Sequence, residues 1–177
     1  HNEKPEQSTM RFTDVAENTW YYDGIEFAYD NGIMNGVGNG KFEPHADTTR
    51  GMIVTMLARM EGVDTSSGKV WYEAGQKWAM ENGISDGTNM AGRITREQLA
   101  TILYRYAKLK GYDVSKTTPL DGFSDAGTVS SYAVDAMRWA VAADLVKGAG
   151  GRLDPQGTAT RAQVATILMR FSQKIEK

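Results

Sequence analysis

The sequence predicts a mainly α-helical protein in which three helix–loop–helix units close on a central three-helix bundle. The dipeptide Thr-Arg occurs at 49–50, 95–96 and 160–161, and each copy is followed by apolar residues spaced as on one face of a helix. Each copy is also preceded by a shorter amphipathic run and a glycine-containing loop. Because one helix pair cannot bury its own apolar stripe, we expect the three stripes to pack together.

The three stripes share one register, at i, i+3, i+4 and i+7. They are Ile53, Met56, Leu57 and Met60; Leu99, Ile102, Leu103 and Tyr106; and Val164, Ile167, Leu168 and Phe171. Thr is a favourable N-cap, and Gln98 and Gln163 stand where a capping box requires them, so helices should begin at the Thr-Arg dipeptides. The unequal spacing of the copies does not suit a regular solenoid with a period of about 33–34 residues.

We divide the chain into a polar leader (1–10), a first unit (11–62), a second unit (63–111), a linker (112–122) and a third unit (123–177). The aromatic residues Trp20, Trp71 and Tyr132 open the first helix of the three units. The second unit has a shorter loop than the first and lacks its Phe-x-Pro element. We therefore expect the groove beside that loop to be shallower or differently shaped, and fewer than three equal binding sites.

Composition excludes several classes of function. The 177 residues carry a net charge of −2, so nucleic acid is not an expected partner, and no apolar run reaches the ~18 residues of a membrane span. Cysteine is absent, the only histidines are His1 and His45, and no nucleophile or metal motif occurs. Asp14 and Glu43 could form a carboxylate pair, but nothing in their spacing selects them. We expect no enzyme activity, no cofactor and no metal.

Arg50, Arg96 and Arg161 form the first candidate site. A helix N-terminus offers free backbone N–H groups to an anion, and an Arg in the same turn adds a planar fork suited to a carboxylate. The alternative is that each Arg pairs with a nearby carboxylate or is solvated. Since a cation opposes the helix dipole in the first turn, we expect these residues to serve binding rather than stability.

The aromatic residues allow two interpretations. Trp20, Trp71 and Tyr132 could stack on sugar rings or staple the first helices to the core, and the second series Phe27, Trp78 and Trp139 is more typical of core. The glycine loop that begins at Gly36 follows a helix and lacks the ending of a nucleotide loop. Its glycines favour close approach to a ligand or to a neighbouring unit.

The combined motifs resemble those of the S-layer homology domain. In order they are Phe12-x-Asp14-Val15, Trp20, Ala28, Gly32-Ile33-x-x-Gly36, Gly38-Asn39-Gly40-Lys41-Phe42-x-Pro44 and Thr49-Arg50. Three tandem copies would cover roughly Phe12 to Phe171. The resemblance implies a spindle-shaped fold with pseudo-threefold symmetry. It also implies that the protein is extracellular, at the cell wall or S-layer of a bacterium. It also implies attachment to secondary cell wall polysaccharide, typically bearing pyruvylated N-acetylmannosamine.

The resemblance also implies which residues line the glycan-binding grooves between units. They are Arg50, Arg96, Arg161, Trp20, Trp71, Gly36, Asn39, Gly87 and Gly148. The family usually continues Thr-Arg with Ala-Glu, but the last position here holds Met52, Gln98 and Gln163. We therefore expect a non-catalytic cell-wall anchor that holds a fused or associated surface protein, without membrane insertion. The alternative is a protein–protein module in which the aromatic residues and exposed methionines bind another polypeptide.

Overall fold

The computed structural model describes residues 10–175, and this part of the chain is mainly α-helical, as predicted. The helices are α1 (Tyr22–Asp30), α2 (Arg50–Met60), α3 (Glu73–Glu81), α4 (Arg96–Leu109), α5 (Val134–Ala142) and α6 (Arg161–Lys174). Two short 3-10 turns precede α5, at Ala126–Thr128 and Ser131–Ala133. None of the described helices has the length and apolar character needed to cross a membrane.

The Thr-Arg dipeptides start α2, α4 and α6, as predicted. Thr49, Thr95 and Thr160 are the N-caps, and the hydroxyl of each accepts a hydrogen bond from the backbone N–H three residues on. Gln98 and Gln163 complete capping boxes through their Oε1 atoms. In α2 the thioether sulfur of Met52 lies 3.4 Å from the backbone nitrogen of Thr49 and takes the same place.

The residues just before these three helices form a closed ring of backbone hydrogen bonds. The N–H of Thr48 donates to the carbonyl of Ala159 (3.0 Å), that of Ala159 to Ile94 (3.1 Å), and that of Ile94 to Thr48 (2.8 Å). All three residues are buried. The ring joins one segment from each unit at the N-terminal ends of α2, α4 and α6, which establishes the pseudo-threefold arrangement.

The three predicted stripes meet in one core. Ile53, Leu57, Leu99, Leu103, Val164 and Leu168 are each at most 2% exposed and belong to a single hydrophobic cluster. Met56, Ile102 and Ile167 are buried in the same cluster. The central three-helix bundle predicted from the stripes is therefore confirmed.

The outer helices pack on the bundle with an offset of one unit. α3 packs on α2 and α5 packs on α4, while α1 packs on α6 and so closes the circle between the two ends of the chain. Close approach requires Gly24 and Gly75, because a Cβ atom there would lie 2.7 Å and 2.8 Å from the Cα atoms of Thr166 and Thr55. Each bundle helix is thus covered by the first helix of the next unit.

The Phe-x-Asp motif of the first unit holds its loop. Both carboxylate oxygens of Asp14 accept backbone N–H groups, from Phe42 at 2.9 Å and from Glu43 at 2.8 Å. The ring of Phe12 packs beneath Gly36, where a Cβ atom would lie 2.5 Å from it. Burial raises the pKa of Asp14, but backbone N–H donors, those of Phe42 and Glu43 first, and the charge of Lys41 together lower it overall.

The third unit repeats this arrangement. Asp125 accepts the N–H groups of Leu153 and Asp154, each at 2.8 Å, and its pKa is lowered chiefly by the first of these bonds. Phe123 packs beneath Gly148 as Phe12 does beneath Gly36. The two motifs therefore fix the loops that lead into α2 and α6.

The shortened loop of the second unit ends in the same conformation as the other two. Glu43, Asn89 and Asp154 each stand seven residues before the Arg that starts the next helix, and all have a left-handed backbone, with φ of 57°, 51° and 53°. Asn tolerates this conformation better than most residues. Met90 follows Asn89 where Pro follows in the other units, so the missing Phe-x-Pro does not change the end of the loop.

The first helices begin slightly later than the aromatic residues. α1, α3 and α5 start two residues after Trp20, Trp71 and Tyr132, so these side chains stand just ahead of the helices. In the segment interpreted as a linker, Leu120 is buried, and Met10, the last residue of the leader, packs on the core. Residues 1–9, 176 and 177 lie outside the described part of the chain, and the unit boundaries stay predictions.

We predict that Leu103→Ala lowers the free energy of unfolding by about 2–5 kcal/mol, because Leu103 is 1% exposed at the centre of the bundle. Chemical denaturation measures the change. Leu109→Ala on the same helix is the control, since Leu109 is 44% exposed and should cost far less. Equal effects from the two substitutions would contradict the central position of Leu103.

We predict that Asp14→Asn destabilises the protein by about 1–3 kcal/mol at neutral pH, because an amide offers one oxygen where the carboxylate uses two. Since the folded-state pKa of Asp14 is lowered, its contribution is present above the unfolded-state pKa and is lost as pH falls through the folded-state value. Denaturation of both proteins between pH 7 and pH 2 should show the difference shrinking in acid. A constant difference would contradict the role of the charge.

Candidate functional site

Arg50, Arg96 and Arg161 each hold the loop of another unit. Arg161 donates from Nε to the carbonyl of Phe42 (2.8 Å) and from Nη2 to that of Asn35 (2.7 Å). Arg96 donates in the same way to the carbonyls of Leu153 (2.9 Å) and Lys147 (3.2 Å). Each side chain therefore links the start of one bundle helix to a loop elsewhere in the ring.

Arg50 makes the same link with one change. Its Nε donates to the carbonyl of Thr88 at 3.0 Å, but its Nη2 donates to the Asp86 side chain, at 3.3 Å, instead of a backbone carbonyl. Asp86 occupies the position that Asn35 and Lys147 occupy in the other units. This is the one link of the three in which a carboxylate neutralises the guanidinium directly.

The expectation that free helix N–H groups bind an anion is wrong. The N–H groups of Arg50 and Gly51 donate to the carbonyls of Gly92 and Met90, at 2.9 and 2.8 Å, and the third N–H of the helix donates to the Thr49 cap. α4 and α6 repeat the pattern with carbonyls of the neighbouring loops. Protein carbonyls thus take the place that an anion would need.

The burial and bonding of the arginines argue against the expectation that they contribute little to stability, which stays a prediction. Arg161 is 6% exposed, and its guanidinium lies 4.3 Å from the ring centroid of Phe42. Burial lowers the pKa of Arg161 and of Arg96, and nearby carboxylates partly offset the effect. Each of these arginines is thus a partly or fully buried link between units.

The opening aromatic residues lie at the surface. Trp20, Trp71 and Tyr132 are 63%, 56% and 54% exposed, which is unusual for such large side chains. The second aromatic series is more enclosed: Trp139 is 1% exposed, and Phe27 and Trp78 are half-buried against the core. This difference agrees with the expectation that the second series belongs to the core.

The predicted glycine positions serve mainly the loops. Gly36 and Gly148 make room for the rings of Phe12 and Phe123. Gly87 has a left-handed backbone (φ 76°) beside the side chain of Met80, which a Cβ atom would meet. Asn39 is exposed and left-handed (φ 55°) within the glycine turn.

One groove combines an exposed indole with several cations. This Trp20 groove encloses about 340 Å³ and lies between the first and third units and α4. It is lined by Trp20, Arg96, Leu145, Val146, Lys147, Gly148, Gln163, Thr166, Ile167 and Arg170. Three of these described lining residues are cations and none is a carboxylate.

The corresponding groove around Tyr132 has a different charge. This Tyr132 groove encloses about 450 Å³ and is lined by Arg50, Ser85, Asp86, Thr88, Asn89, Gln98, Thr101, Ile102, Arg105 and Tyr132. The shortened second loop forms one wall, yet the cavity is larger than the Trp20 groove. The groove is therefore differently lined from the Trp20 groove. Its depth relative to the other groove stays a prediction.

A buried carboxylate adds to the difference. Glu97 is 4% exposed and accepts hydrogen bonds from the backbone N–H of Ser130 (2.9 Å), the Ser130 hydroxyl (2.6 Å) and the Tyr132 hydroxyl (3.2 Å). Burial and the charge of Glu97 raise the pKa of Tyr132. Ala162 stands at the position of Glu97 in α6, so the Trp20 groove has no such charge.

Sequence reasoning missed a second series of arginines. Arg59, Arg105 and Arg170 each stand nine residues after the first Arg of their helix, and Arg105 and Arg170 line the two grooves. Arg59 and Arg105 donate to the carbonyls of Ile33 and Ile84, at 3.1 and 3.3 Å. Their equal distance from the Thr-Arg dipeptide in all three units was a visible signal.

The carboxylate pair considered from the sequence does not suit acid–base chemistry. Both carboxylate oxygens of Asp14 accept backbone N–H groups. One of these N–H groups belongs to Glu43 itself. Within residues 10–175, histidine, aspartate and glutamate form no group of three that could hold a metal ion.

The S-layer homology domain family matches two segments of the chain, residues 11–51 and 122–165. The first contains the Phe-x-Asp motif, Trp20, the glycine loop and Arg50, and the second contains Tyr132 and Arg161. The residues between them, which include the shortened loop, lie outside both matches.

Relatives include enzymes and S-layer proteins. The chain is 26% identical to an endoglucanase of Bacillus sp. (strain KSM-635), over 93% of this chain and 19% of the enzyme. It is 26% identical to the S-layer protein sap of Bacillus anthracis, over 92% of this chain and 21% of that protein. It is 30% identical to a cell surface protein of Thermoanaerobacter kivui, over 94% of this chain and 22% of that protein. The chain thus spans about a fifth of the length of these relatives.

A solved structure, the undecaheme cytochrome from the S-layer of Carboxydothermus ferrireducens, aligns with 84% of this chain and 20% of its own, with a TM-score of 0.48 and 22% identity. That similarity is too low to add to the description of the fold. The family matches and the S-layer relatives are more informative. Residues 11–51 and 122–165 carry S-layer homology domain sequence, and the protein is one of the cell wall or S-layer surface.

Proposed function

We propose that the chain is a non-catalytic anchoring module that binds an anionic, pyruvylated secondary cell wall polysaccharide and holds a surface or S-layer protein on the cell envelope. The observation that carries the proposal is the Trp20 groove. Its exposed indole stands beside Arg96, Lys147 and Arg170, and no carboxylate is among its described lining residues. An aromatic face and a cluster of cations suit a sugar ring that bears a carboxylate.

The chemistry of recognition is local. A net charge of −2 cannot draw an anionic polymer from a distance, so affinity has to come from contacts within the groove. The fork of Arg96 already binds two carbonyls through Nε and Nη2 and is therefore held in place. A preorganised guanidinium loses little side-chain entropy when it binds a carboxylate. The indole of Trp20 can then cover the apolar face of the sugar.

The variety of proteins among the relatives supports an anchoring role. Similar sequence occurs in an endoglucanase, an amylopullulanase and S-layer proteins, and in each the matched part is at most about a fifth of the protein. A module that accompanies such different partners has a function of its own, separate from theirs. A protein–protein module remains the alternative, and the nature of the retaining surface distinguishes the two.

We predict that Trp20→Ala weakens retention on purified cell-wall sacculi at least about 10-fold, because truncation of an aromatic anchor commonly removes more than 1.4 kcal/mol of binding free energy. Leu109→Ala is the control, since Leu109 is also an exposed apolar residue but lies outside the groove. Sacculi stripped of polysaccharide by acid should retain neither the wild-type protein nor the Leu109→Ala control. Undiminished retention on stripped sacculi would favour the protein–protein alternative.

We predict that Arg96→Ala weakens binding of a pyruvylated glycan about 10- to 150-fold, the equivalent of one charge-assisted hydrogen bond of about 1.5–3 kcal/mol. Arg96→Lys should recover only part of the loss, since Lys lacks the planar fork. Because Arg96 also holds a loop, circular dichroism must show each variant folded at the assay temperature. Arg93→Ala, which removes an exposed cation outside the Trp20 groove, is the control.

The same glycan without its pyruvyl carboxylate should bind the wild-type protein about as weakly as the intact glycan binds the Arg96→Ala variant. Wild-type affinity of folded Arg96→Ala for the intact glycan would show that the carboxylate is not read by this residue. Binding would then have to depend on the indole and the neutral part of the groove.

A further inference from the structure

The two grooves place opposite charges at one equivalent position. Lys147 comes directly before Gly148, and Asp86 comes directly before Gly87. The two glycines occupy equivalent positions in the loops of their units. Lys147 lines the Trp20 groove and gives only its backbone carbonyl to Arg96. Asp86 lines the Tyr132 groove and gives its side chain to Arg50.

The carboxylate of Asp86 is fixed in place. Its Oδ1 atom accepts the backbone N–H of Thr88 at 3.0 Å and the Thr88 hydroxyl at 2.7 Å, in addition to Arg50 at 3.3 Å. The bonds from Thr88 lower the pKa of Asp86, so the side chain is ionised at neutral pH. Although it is 70% exposed, two donors of Thr88 and one of Arg50 converge on its Oδ1 atom.

The arginines of the Tyr132 groove are therefore compensated. Arg50 pairs with Asp86 at 3.3 Å, and the charge of Arg105 also acts on Asp86. Beneath the groove, the buried Glu97 accepts the Tyr132 hydroxyl. Near the Trp20 groove, Lys147 and Arg170 interact electrostatically with Asp144. The charges of Asp154 and Asp125 act on Arg96 and raise its pKa. Asp154 lines an adjoining cavity that shares Arg96, Lys147 and Gln163 with the Trp20 groove. None of the three carboxylates lines the Trp20 groove itself, and none lies within 4.0 Å of Arg96.

We propose that Asp86 excludes carboxylate-bearing sugars from the Tyr132 groove by holding a carboxylate against Arg50, and that the Trp20 groove alone takes such a sugar. The inference rests on the proposed function and names the residue that makes the sites unequal. A second carboxylate brought to Arg50 would meet a like charge, which disfavours binding. The remaining arginine, Arg161, is 6% exposed and covered by Phe42, so it offers no accessible fork.

Titration calorimetry tests the inference with a methyl glycoside of N-acetylmannosamine that carries a pyruvate ketal. We expect one site in the wild-type chain and a second site in Asp86→Asn, with the affinity of the Tyr132 groove raised at least about 10-fold. Asn keeps an oxygen for Thr88, so the turn should persist. Asp86→Lys, which reproduces the residue at position 147, should also open the site. Asp30→Asn, an exposed carboxylate outside both grooves, is the control and should leave one site.

Two further comparisons assign the sites. Trp20→Ala should remove the wild-type site, and Trp20→Ala combined with Asp86→Asn should keep the new one. The gain from Asp86→Asn should shrink as salt rises, because the carboxylate is exposed and its repulsion is screened.

Unchanged stoichiometry and affinity in both Asp86 variants would overturn the inference while leaving the proposed function intact. Binding of the charged sugar to Trp20→Ala through the Tyr132 groove would overturn it as well. If the pyruvylated glycoside bound neither the wild type nor any variant, the proposed function would fail and the inference with it.

Discussion

The ring of three backbone hydrogen bonds among Thr48, Ile94 and Ala159 is the constraint on which the rest of the structure depends. It brings the N-terminal ends of α2, α4 and α6 to one point, where buried donors and acceptors satisfy one another. Beyond the ring, the first N–H groups of each bundle helix bind carbonyls of a neighbouring loop. No unit completes these bonds by itself, so the three units have to fold together.

This arrangement explains why the arginine recurs at the start of all three bundle helices. A cation in the first turn opposes the helix dipole by a few tenths of a kcal/mol, but here its fork binds two groups of another unit. Those bonds fix the position of the loop that walls the adjacent groove. The arginine therefore links units of the fold. In the Trp20 groove, Arg96 is also held close to an exposed aromatic residue, where we propose that it binds the glycan.

Pseudo-symmetry of the backbone does not produce equal sites. The ring, caps and loop ends repeat closely, and even the shortened loop ends at a left-handed Asn89 where the others have Glu43 and Asp154. Several side chains that line the grooves repeat, such as Arg105 and Arg170, but the residue before the loop glycine does not. Since Lys147 and Asp86 occupy equivalent places with opposite charge, a common scaffold presents grooves of different electrostatic character.

The sequence by itself determined the helical class, the start of each bundle helix and the buried stripes. These features depend on local periodicity and capping, which repeat three times and so confirm one another. The exposure of the opening aromatic residues was one of two interpretations, because a Trp ahead of a helix can face either way.

Only the tertiary structure decided the partners of the arginines. Arg161 binds Asn35 across 126 residues of chain and Arg96 binds Leu153 across 57, and no local pattern encodes such distances. It likewise decided that the helix N–H groups are occupied by carbonyls and that Asp86 lies against Arg50. Contacts between units depend on how the ring closes, and that closure is a property of the whole chain rather than of any one repeat.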